Sequence, residues 1–341
     1  MRTIPLVETT RGLPGARAVR ENIHHGIVAV VDTAGRLLLS AGNAGEVCFT
    51  RSTLKPLQAL PLLADGGLER FGLGPEELAL ICASHSGEPR HVEIVSKILA
   101  SIGLGEPDLG CGSHVPLHYG ACGETPPPGA QWTQLHNNCS GKHSGFLAWC
   151  CLHGLSYANY LDFGHPLQKR IREVVGSFSA IDTDALRAGL DGCSAPNYAL
   201  PLSSLAHLYA RLAQGAADPE YGDCFGPIFE AMTGYPELVS GMQRTDLAFM
   251  GAAKGDWISK AGADGLQVLG SRSAGLGIAV KIADGSPRAL QVAFVEALRQ
   301  VGLLSDQPEA HFEAWQHAVI RNHRGTITGR VEPIFTLGKP D

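Results

Sequence analysis

The chain has 341 residues, of which 44% are hydrophobic and 18% charged, and its formal net charge is −6 at pH 7. This composition is typical of a globular protein with a sizeable core, and the length predicts two domains or one large one. The acidic balance and the lack of a Lys/Arg stripe exclude a typical nucleic-acid-binding surface. No apolar run approaches the ~18–20 residues that cross a bilayer.

The N-terminus and the cysteines indicate the cellular compartment. Residues 1–22 lack the apolar core of a signal peptide. The nine cysteines are an odd number, which argues against a complete disulfide framework. We therefore expect a cytoplasmic protein that acts on a small molecule and has neither a nucleic-acid nor a membrane partner.

Strand and helix patterns alternate in the first third of the chain. Two apolar runs, residues 26–32 and 36–42, are separated by a short polar stretch and predict a β-hairpin. Residues 51–71 then show leucines at helical spacing, with prolines that predict a kinked or late-starting helix. Residues 78–87 are a buried run that ends in a polar loop, and residues 91–102 predict an amphipathic helix.

Helices dominate the middle of the chain, and strands return towards its end. Residues 110–132 are rich in Gly and Pro, and we expect them to be irregular. Three further helices are predicted, at residues 144–153, 165–178 and 201–214. From about Trp257 the pattern is strand-like as far as a turn near Asp284. A helix over 289–301 and a returning strand within 325–335 follow.

Strand patterns thus lie at both ends of the chain, with helices between them. We predict an α+β fold in which residues 1–50 and 255–341 form one antiparallel sheet with flanking helices. Residues 51–254 are predicted to form a mainly helical region that carries the Ser-Lys and Cys-Lys motifs described next. The active site is expected between these two regions.

The first candidate motif is Ser52 followed three residues later by Lys55, which a helix places on one face. A neutral lysine can accept the proton of such a serine and make it an acyl-transfer nucleophile. A helix N-terminus at this place also helps to hold an oxyanion. The alternative, in which Ser52 caps a helix and Lys55 is solvated, is favoured when the motif is considered alone.

Two later elements follow in the order found in the penicillin-recognising serine enzymes, which carry Ser-x-x-Lys, a Ser-x-Asn-like loop and Lys-Thr-Gly. They are Ser84–Ser86 and Lys260–Gly262. Each departs from the pattern at one position, since Ser86 replaces Asn and Ala261 replaces Thr. The relation to those enzymes is therefore architectural at best, but Ser84 and Lys260 form a second Ser/Lys pair for proton transfer.

The stretch HNNCSGKHSG, residues 136–145, has several interpretations. It fails as a phosphate loop because His143 and His136 stand where that motif requires Ser/Thr and Gly. Cys139 is a candidate nucleophile with either histidine as its base. The remaining interpretations are part of a metal site and a glycine-rich turn with a core cysteine.

Another cysteine, Cys193, follows Asp191 at the start of the loop 192–202. Two thiolates and one nitrogen donor form a soft set of ligands that suits zinc, and a carboxylate such as Asp191 orients a site of this kind. Spacing alone favours core thiols over a metal site.

Five blocks taken together resemble the rhizobial-type, thermolabile L-asparaginases. They are, in chain order, RSTLKPLQALPL (51–62), CASHSGE (82–88), HNNCSGKHSG (136–145), DGCSAPNYALPL (191–202) and SKAGADG (259–265). The resemblance extends over most of the chain. It implies a fold akin to the serine β-lactamases and serine glutaminases, L-asparagine as the substrate, and a homodimer.

The resemblance also implies catalytic roles by position. Ser52 corresponds to the nucleophile and Lys55 to its base, and Ser84 with Lys260 corresponds to the second dyad. Asp264 stands where glutamate is expected in this family, which leaves its role open.

Metal and substrate contacts are implied in the same way. The implied zinc ligands are Cys139, Lys142 and Cys193, with a water molecule as the fourth ligand and Asp191 in support. The residues implied to line the substrate pocket are Arg51, His85, Asn138, His143 and Asp191.

The predicted function is hydrolysis of the side-chain amide of asparagine through an acyl-enzyme on Ser52. Three alternatives remain: an amidohydrolase that uses zinc-bound water, a β-lactam-reactive serine enzyme or sensor, and a non-enzymatic zinc-binding protein. The sequence does not separate asparagine from glutamine as substrates, because one methylene is worth only about 1–3 kcal/mol.

Overall fold

A computed structural model describes residues 1–13, 17–304 and 312–340. Within these ranges the strands are β1 (Ile4–Arg11), β2 (Val19–Asp32), β3 (Leu37–Ala41), β4 (Val47–Phe49), β5 (Ala188–Leu190), β6 (Pro196–Pro201), β7 (Trp257–Gly262), β8 (Leu266–Ser271), β9 (Leu276–Ile282), β10 (Val319–Arg321) and β11 (Ile327–Pro333). The longer helices of the same ranges are α1 (Lys55–Ala64), α2 (Gly67–Phe71), α3 (Pro75–Ile81), α4 (Pro89–Ser101), α5 (Leu117–Cys122), α6 (Ser140–Leu152), α7 (Pro166–Ser179), α8 (Leu202–Gln214), α9 (Gly222–Gly234), α10 (Pro236–Val239), α11 (Thr245–Ala253), α12 (Pro287–Gln300) and α13 (Glu313–Gln316). Short 3-10 helices lie at Arg51–Leu54, Glu106–Asp108, Gln134–His136 and Gly215–Ala217.

The chain divides into two compact units. The first, called the sheet unit, comprises Met1–Cys48, Pro201–Ala210 and Lys260–Asp341. The second, called the helical unit, comprises Phe49–Leu200 and Arg211–Ser259.

Both ends of the chain contribute to the antiparallel sheet on which the sheet unit is built. The strand order is β10-β11-β1-β2-β9-β8-β7, and β3 pairs with β2. The N-terminal strand β1 pairs with β11, so that Thr9 lies opposite Val331. These pairings confirm the predicted α+β class, the N-terminal hairpin and the sheet formed from both chain ends.

The central strands of this sheet are buried without alternation. Ile27–Val31 of β2 and Gly277–Val280 of β9 are all buried. Helix α12 contacts β9, and the start of α8 also packs on β9, because a Cβ atom at Gly277 would lie 1.8 Å from the Ala206 carbonyl oxygen. The continuous apolar runs in the sequence therefore reflect cover by helices.

Strand β1 and the first part of β2 have no counterpart among the elements predicted from the sequence. Residues 19–25 are mostly exposed and polar, so they lack the apolar signal of a strand. Ion pairs across the two strands join Arg11 to Glu21 at 2.9 Å and Arg20 to Glu8 at 2.5 Å. The strand thus extends to Val19 although its outer part has little hydrophobic surface.

Helix α6 is the central helix of the helical unit. It contacts α1, α3, α4 and α7, and its residues Ser140–Cys150 are buried. The helix begins at Ser140 and not at residue 144 as predicted. The stretch HNNCSGKHSG is therefore largely the start of a buried helix and not a surface turn.

Two sequence-based assignments of irregular structure need correction. Residues 110–132 include the short helix α5, and the loop expected at 192–202 contains strand β6. Strand β6 forms because it pairs with β5 and because Tyr198 O accepts the backbone N–H of Thr50 at 2.9 Å. Such long-range pairing leaves no local signal in the sequence.

None of the helices within the described ranges is both long enough and apolar enough to cross a membrane.

The glycines of α6 allow close packing against α3, and this gives a test of the fold. A Cβ atom at Gly141 would lie 2.2 Å from the Leu80 carbonyl oxygen. We expect Gly141→Ala to lower the free energy of unfolding by about 3 kcal/mol, measured by urea denaturation. Gly120→Ala is the matched control, because Gly120 is also helical and a Cβ there meets nothing within 4 Å. Equal stability of the two variants would contradict this packing.

Candidate active site

Ser52 lies in a turn of unusual backbone conformation between β4 and α1. The preceding Arg51 has a φ of +47°, a left-handed conformation that is uncommon for a residue other than glycine. Asn197 of β6 holds this turn, since its Oδ1 accepts the backbone N–H of Arg51 at 3.0 Å. The hydroxyl of Thr50 is 3.1 Å from the same Oδ1. Strain that is compensated by its surroundings in this way is common at functional sites.

The side chain of Arg51 connects this turn to the cysteine loop. Its Nε donates to Asp191 Oδ1 at 2.9 Å, and both side chains are partly shielded from solvent. The same carboxylate oxygen accepts the backbone N–H of Gly192 at 3.0 Å. A guanidinium and a carboxylate are thus fixed side by side next to Ser52.

Lys55 is the first residue of α1, and its side chain is only 1% exposed. Its Nζ donates to Ala83 O at 2.5 Å, to Ser84 Oγ at 3.0 Å and to Asn138 O at 3.2 Å. The amine therefore joins three segments of the helical unit. Ser84 is the hydroxyl that Lys55 contacts, and no hydrogen bond joins Lys55 to Ser52 Oγ within the described part of the chain.

His85, a predicted pocket residue, is fully buried behind Ser84. Its Nε2 is 2.9 Å from Ser140 Oγ, and its Nδ1 accepts the backbone N–H of Gly87 at 3.1 Å. Burial, followed by the neighbouring charges of His91 and Lys55, lowers the pKa of His85 well below its usual value. The ring is thus neutral, and both of its nitrogen atoms are used within the protein.

The two cysteines and the lysine with the implied zinc role lie together. Cys139, Lys142 and Cys193 are buried, and Lys142 Nζ is 3.3 Å from Cys193 Sγ. A hydrogen bond from Cys139 holds the pKa of Cys193 far below its usual value, with a further contribution from Lys142. The same hydrogen bond, followed by burial, raises the pKa of Cys139. The cluster is thus organised around a Cys193 thiolate.

The donor set of this cluster fits the zinc ion that the resemblance implies. Two sulfur atoms and one amine are soft to borderline ligands of the kind that zinc prefers. A neighbouring nitrogen atom, Nε2 of His143, is buried without a hydrogen-bond partner. No group of three His, Cys, Asp or Glu side chains among the described residues could hold a metal ion. A zinc site here therefore depends on Lys142 as the third ligand.

Two other pocket residues from the sequence analysis flank this cluster. The backbone N–H of Asn138 donates to His114 Nε2 at 3.0 Å, while its carbonyl accepts from Lys55. His143 is fully buried, and its Nδ1 is 2.6 Å from the Tyr160 hydroxyl.

Residues that sequence reasoning missed hold these groups in place. Asn197 supports the Ser52 turn, and Tyr160 contacts His143. Asn137 Oδ1 accepts the backbone N–H of Cys139 at 2.8 Å. Asn137 and Asn197 lie within two of the five sequence blocks. Their amide side chains stand close in sequence to candidate site residues, and this proximity could have indicated a supporting role. Tyr160 stands outside those blocks.

Lys260 and Asp264 belong to the sheet unit. Lys260 is fully buried on β7, and its Nζ donates to Ala261 O at 3.0 Å. Asp264 is exposed in the turn after β7, with a φ of +59°. Its backbone carbonyl accepts a hydrogen bond from Lys281. The pairing of Lys260 with Ser84 stays a prediction.

Comparison with solved structures returns proteins of low sequence identity. A β-lactamase from Mycobacterium bovis is 16% identical with a TM-score of 0.36, over 80% of this chain and 93% of that one. The protein Mglu in its native form is 18% identical with a TM-score of 0.37, over 84% of this chain and 66% of that one. Unliganded simvastatin synthase from Aspergillus terreus is 13% identical with a TM-score of 0.35, over 81% of this chain and 94% of that one. The sequence has no significant match among curated proteins.

Comparison with protein families identifies the class of the protein, which is an amidohydrolase. Residues 7–333 match the family described as L-asparaginase II. The chain belongs to this family and is an L-asparaginase-type hydrolase. The match confirms the resemblance found in the five sequence blocks and the predicted enzyme class.

Proposed function

We propose that this protein hydrolyses the side-chain amide of L-asparagine to aspartate and ammonia through an acyl-enzyme on Ser52. Lys55 is the base, and Ser84 with Lys260 forms the second dyad. The observation that carries this proposal is the contact of the buried Lys55 amine with Ser84 Oγ at 3.0 Å, next to the strained turn of Ser52.

The reaction has two steps. Ser52 Oγ attacks the side-chain amide carbon while its proton passes to the base. The carbon–nitrogen bond then breaks, and ammonia leaves with a proton returned from the base. Water attacks the resulting ester in the second step, which releases aspartate and restores the Ser52 hydroxyl.

The contacts of Lys55 support its proposed role as the base. A neutral lysine amine has two hydrogen atoms and one lone pair. The carbonyl oxygens of Ala83 and Asn138 can accept both hydrogen atoms. The lone pair then faces Ser84 Oγ. We propose that Ser84 thereby takes part in the proton transfer of Lys55.

Charged groups near Ser52 suit an amino-acid substrate. The carboxylate and ammonium groups of asparagine require one cationic and one anionic partner. Arg51 and Asp191 supply these charges and are held together at 2.9 Å. We propose that both bind the substrate, with Asn138 and His143 lining the pocket and His85 fixing the loop that carries Ser84.

Zinc has an organising role in this proposal. Cys139, Lys142 and Cys193 would hold the ion, which supplies a positive charge that polarises bound groups. Lys142 must lose a proton to bind the metal. No disulfide joins the nine cysteines in the described part of the chain, which fits a reducing compartment. We therefore propose a cytoplasmic enzyme and, by its resemblance, a homodimer.

The proposed function is tested by incubating the purified protein with L-asparagine, L-glutamine and penicillin. We expect ammonia and aspartate in equal amounts from asparagine and no stable adduct with penicillin. A metal chelator is expected to lower the rate about 10–100-fold, with recovery on adding zinc.

Two outcomes would contradict parts of this proposal. A stable penicillin adduct without ammonia release from asparagine identifies a β-lactam-reactive protein instead. Full activity in a sample shown to be free of metal by elemental analysis removes zinc from the proposal and leaves the serine mechanism intact.

A further inference from the structure

Ser86 belongs to residues 84–88, called the serine loop, which also carry Ser84. Its side chain is fully buried, and its hydroxyl donates to the backbone carbonyl of Ser240 at 2.7 Å. Ser240 belongs to residues 239–242, called the anchor segment. A carbonyl oxygen can only accept, and a hydroxyl has a single hydrogen atom to donate. Ser86 is therefore turned towards the anchor segment and has no hydrogen atom left for a substrate.

Two further hydrogen bonds join the serine loop to the anchor segment. The backbone N–H of Ser84 donates to the carbonyl of Val239 at 2.9 Å. The backbone N–H of Met242 donates to Glu88 Oε1 at 2.9 Å. In the sequence of both segments, these bonds lie on either side of the bond made by Ser86. The two segments are thus joined along their whole length, with Ser86 in the middle.

The backbone of the anchor segment lies directly against the side chain of Ser86. Gly241 has a φ of +106°, a conformation that favours glycine. A Cβ atom added there would lie 2.6 Å from Ser86 Oγ and 2.6 Å from Glu88 Oε1. So close an approach of the backbone requires a residue without a side chain. The anchor segment therefore fixes the place of the Ser86 side chain as well as its hydrogen bond.

We propose that Ser86 is a positioning residue, which fastens the serine loop to the anchor segment and so holds Ser84 Oγ at the amine of Lys55. The distance from Ser84 Oγ to Lys55 Nζ is 3.0 Å. Ser84 is thus held from two sides, by Lys55 and by the anchor segment. Catalytic groups must be kept within about 0.5 Å of their working positions. Loss of the Ser86 hydroxyl is therefore expected to slow the reaction although it does not touch the substrate.

Amide hydrogen exchange tests the anchoring whatever the enzyme hydrolyses, since only the effect of Ser86 on the rate rests on the proposed function. We expect the N–H of Ser84 to exchange at least about tenfold faster in full-length Ser86→Ala than in the wild type, as measured by NMR. Ser179→Ala is the matched control, because that hydroxyl also donates to a backbone carbonyl, of Val175, at 2.7 Å. It should leave the exchange of Ser84 unchanged.

Kinetics test whether Ser86 acts through Ser84. We expect kcat for asparagine to fall about 10–100-fold in Ser86→Ala, with little change in KM because the residues proposed to bind the substrate are still present. In a Ser84→Ala background, the change Ser86→Ala should lower the rate by less than about twofold, since the group that it positions is gone. A merely structural role would lower the rate by the same factor in both backgrounds.

Three results would overturn the role of Ser86. Unchanged exchange at Ser84 in Ser86→Ala contradicts the anchoring, and equal losses of rate in the two backgrounds contradict the positioning of Ser84. If Ser86→Ala does not fold, the wild type decides. The N–H groups of Ser84 and Met242 should then exchange with the same dependence on urea, because the joined segments open together, and different dependences contradict the anchoring.

The two proposals fail separately. A wild-type protein that releases no ammonia from asparagine contradicts the proposed function, while faster exchange of Ser84 in Ser86→Ala still supports the anchoring. Ammonia release by the wild type together with unchanged exchange in Ser86→Ala contradicts the anchoring alone.

Discussion

Replacement of Ser52 by alanine is expected to lower the rate of ammonia release from asparagine at least about 10³-fold. Alanine offers no oxygen atom to form the ester, and the remaining residues bind substrate without covalent catalysis. The side chain is small and 8% exposed, so the fold is expected to persist. The measurement is steady-state kinetics of wild type and variant, with thermal unfolding as the check on folding.

Two controls make this result specific to Ser52. Ser96→Ala removes an exposed helical serine whose hydroxyl donates to Val92 O at 2.8 Å, and we expect no loss of activity. Wild-type enzyme that is quenched with acid during turnover should carry an aspartyl ester on the peptide that contains Ser52. If Ser52→Ala keeps an activity within about tenfold of the wild type and a chelator abolishes that activity, the acyl-enzyme mechanism is wrong. Attack by metal-bound water would then be the mechanism. An ester found on Ser84 would identify Ser84, and not Ser52, as the nucleophile.

The fold was predictable where apolar residues mark an element locally. The hairpin of β2 and β3 carries two continuous apolar runs, and the helices α4, α7, α8 and α12 carry apolar residues at helical spacing. Strand β1 and the outer half of β2 have polar, exposed side chains, so their pairing depends on strands elsewhere in the chain. Strand β6 is mostly buried, but it is short, and its backbone contact with Thr50 comes from a distant part of the sequence.

The glycines of HNNCSGKHSG show how a composition signal can mislead. Gly141 and Gly145 indicate a turn when they are considered as local sequence. In the structure they permit contact of α6 with Leu80 and Ile81 of α3. A one-dimensional pattern does not distinguish a flexible turn from a close helix crossing, because both require the absence of a side chain.

The residues of the candidate site could be predicted from the sequence more completely than the hydrogen bonds and ion pairs that join them. Arg51 and Asp191 were assigned to one pocket, and an ion pair joins them although they are 140 positions apart. The position of Lys142 beside Cys193 came from family resemblance, since spacing alone gives no reason for a lysine ligand. Tyr160 had no sequence signal, because its contact with His143 is one that only the fold creates.

Replacement of Lys55 by methionine is the second change with a large expected effect. Methionine keeps the length and apolar character of the side chain but has no amine, so we expect the rate of asparagine hydrolysis to fall about 10²–10⁴-fold. Ala83 O and Asn138 O also lose a donor, which is expected to destabilise the fold by about 1–3 kcal/mol. Circular dichroism and urea denaturation separate this loss of stability from the loss of rate.

Comparison with other lysines then identifies the base. Lys169→Met removes an exposed lysine of α7 and should leave the rate unchanged. If folded Lys55→Met keeps a rate within about tenfold of the wild type while Lys260→Met is inactive, the base is Lys260 and the contact of Lys55 with Ser84 is structural. Large losses in both variants are the result expected for two Ser/Lys pairs that share one proton path. Since Ser84 Oγ lies 3.0 Å from Lys55 Nζ, Ser84→Ala should then interrupt that path and slow the enzyme without abolishing formation of the ester on Ser52.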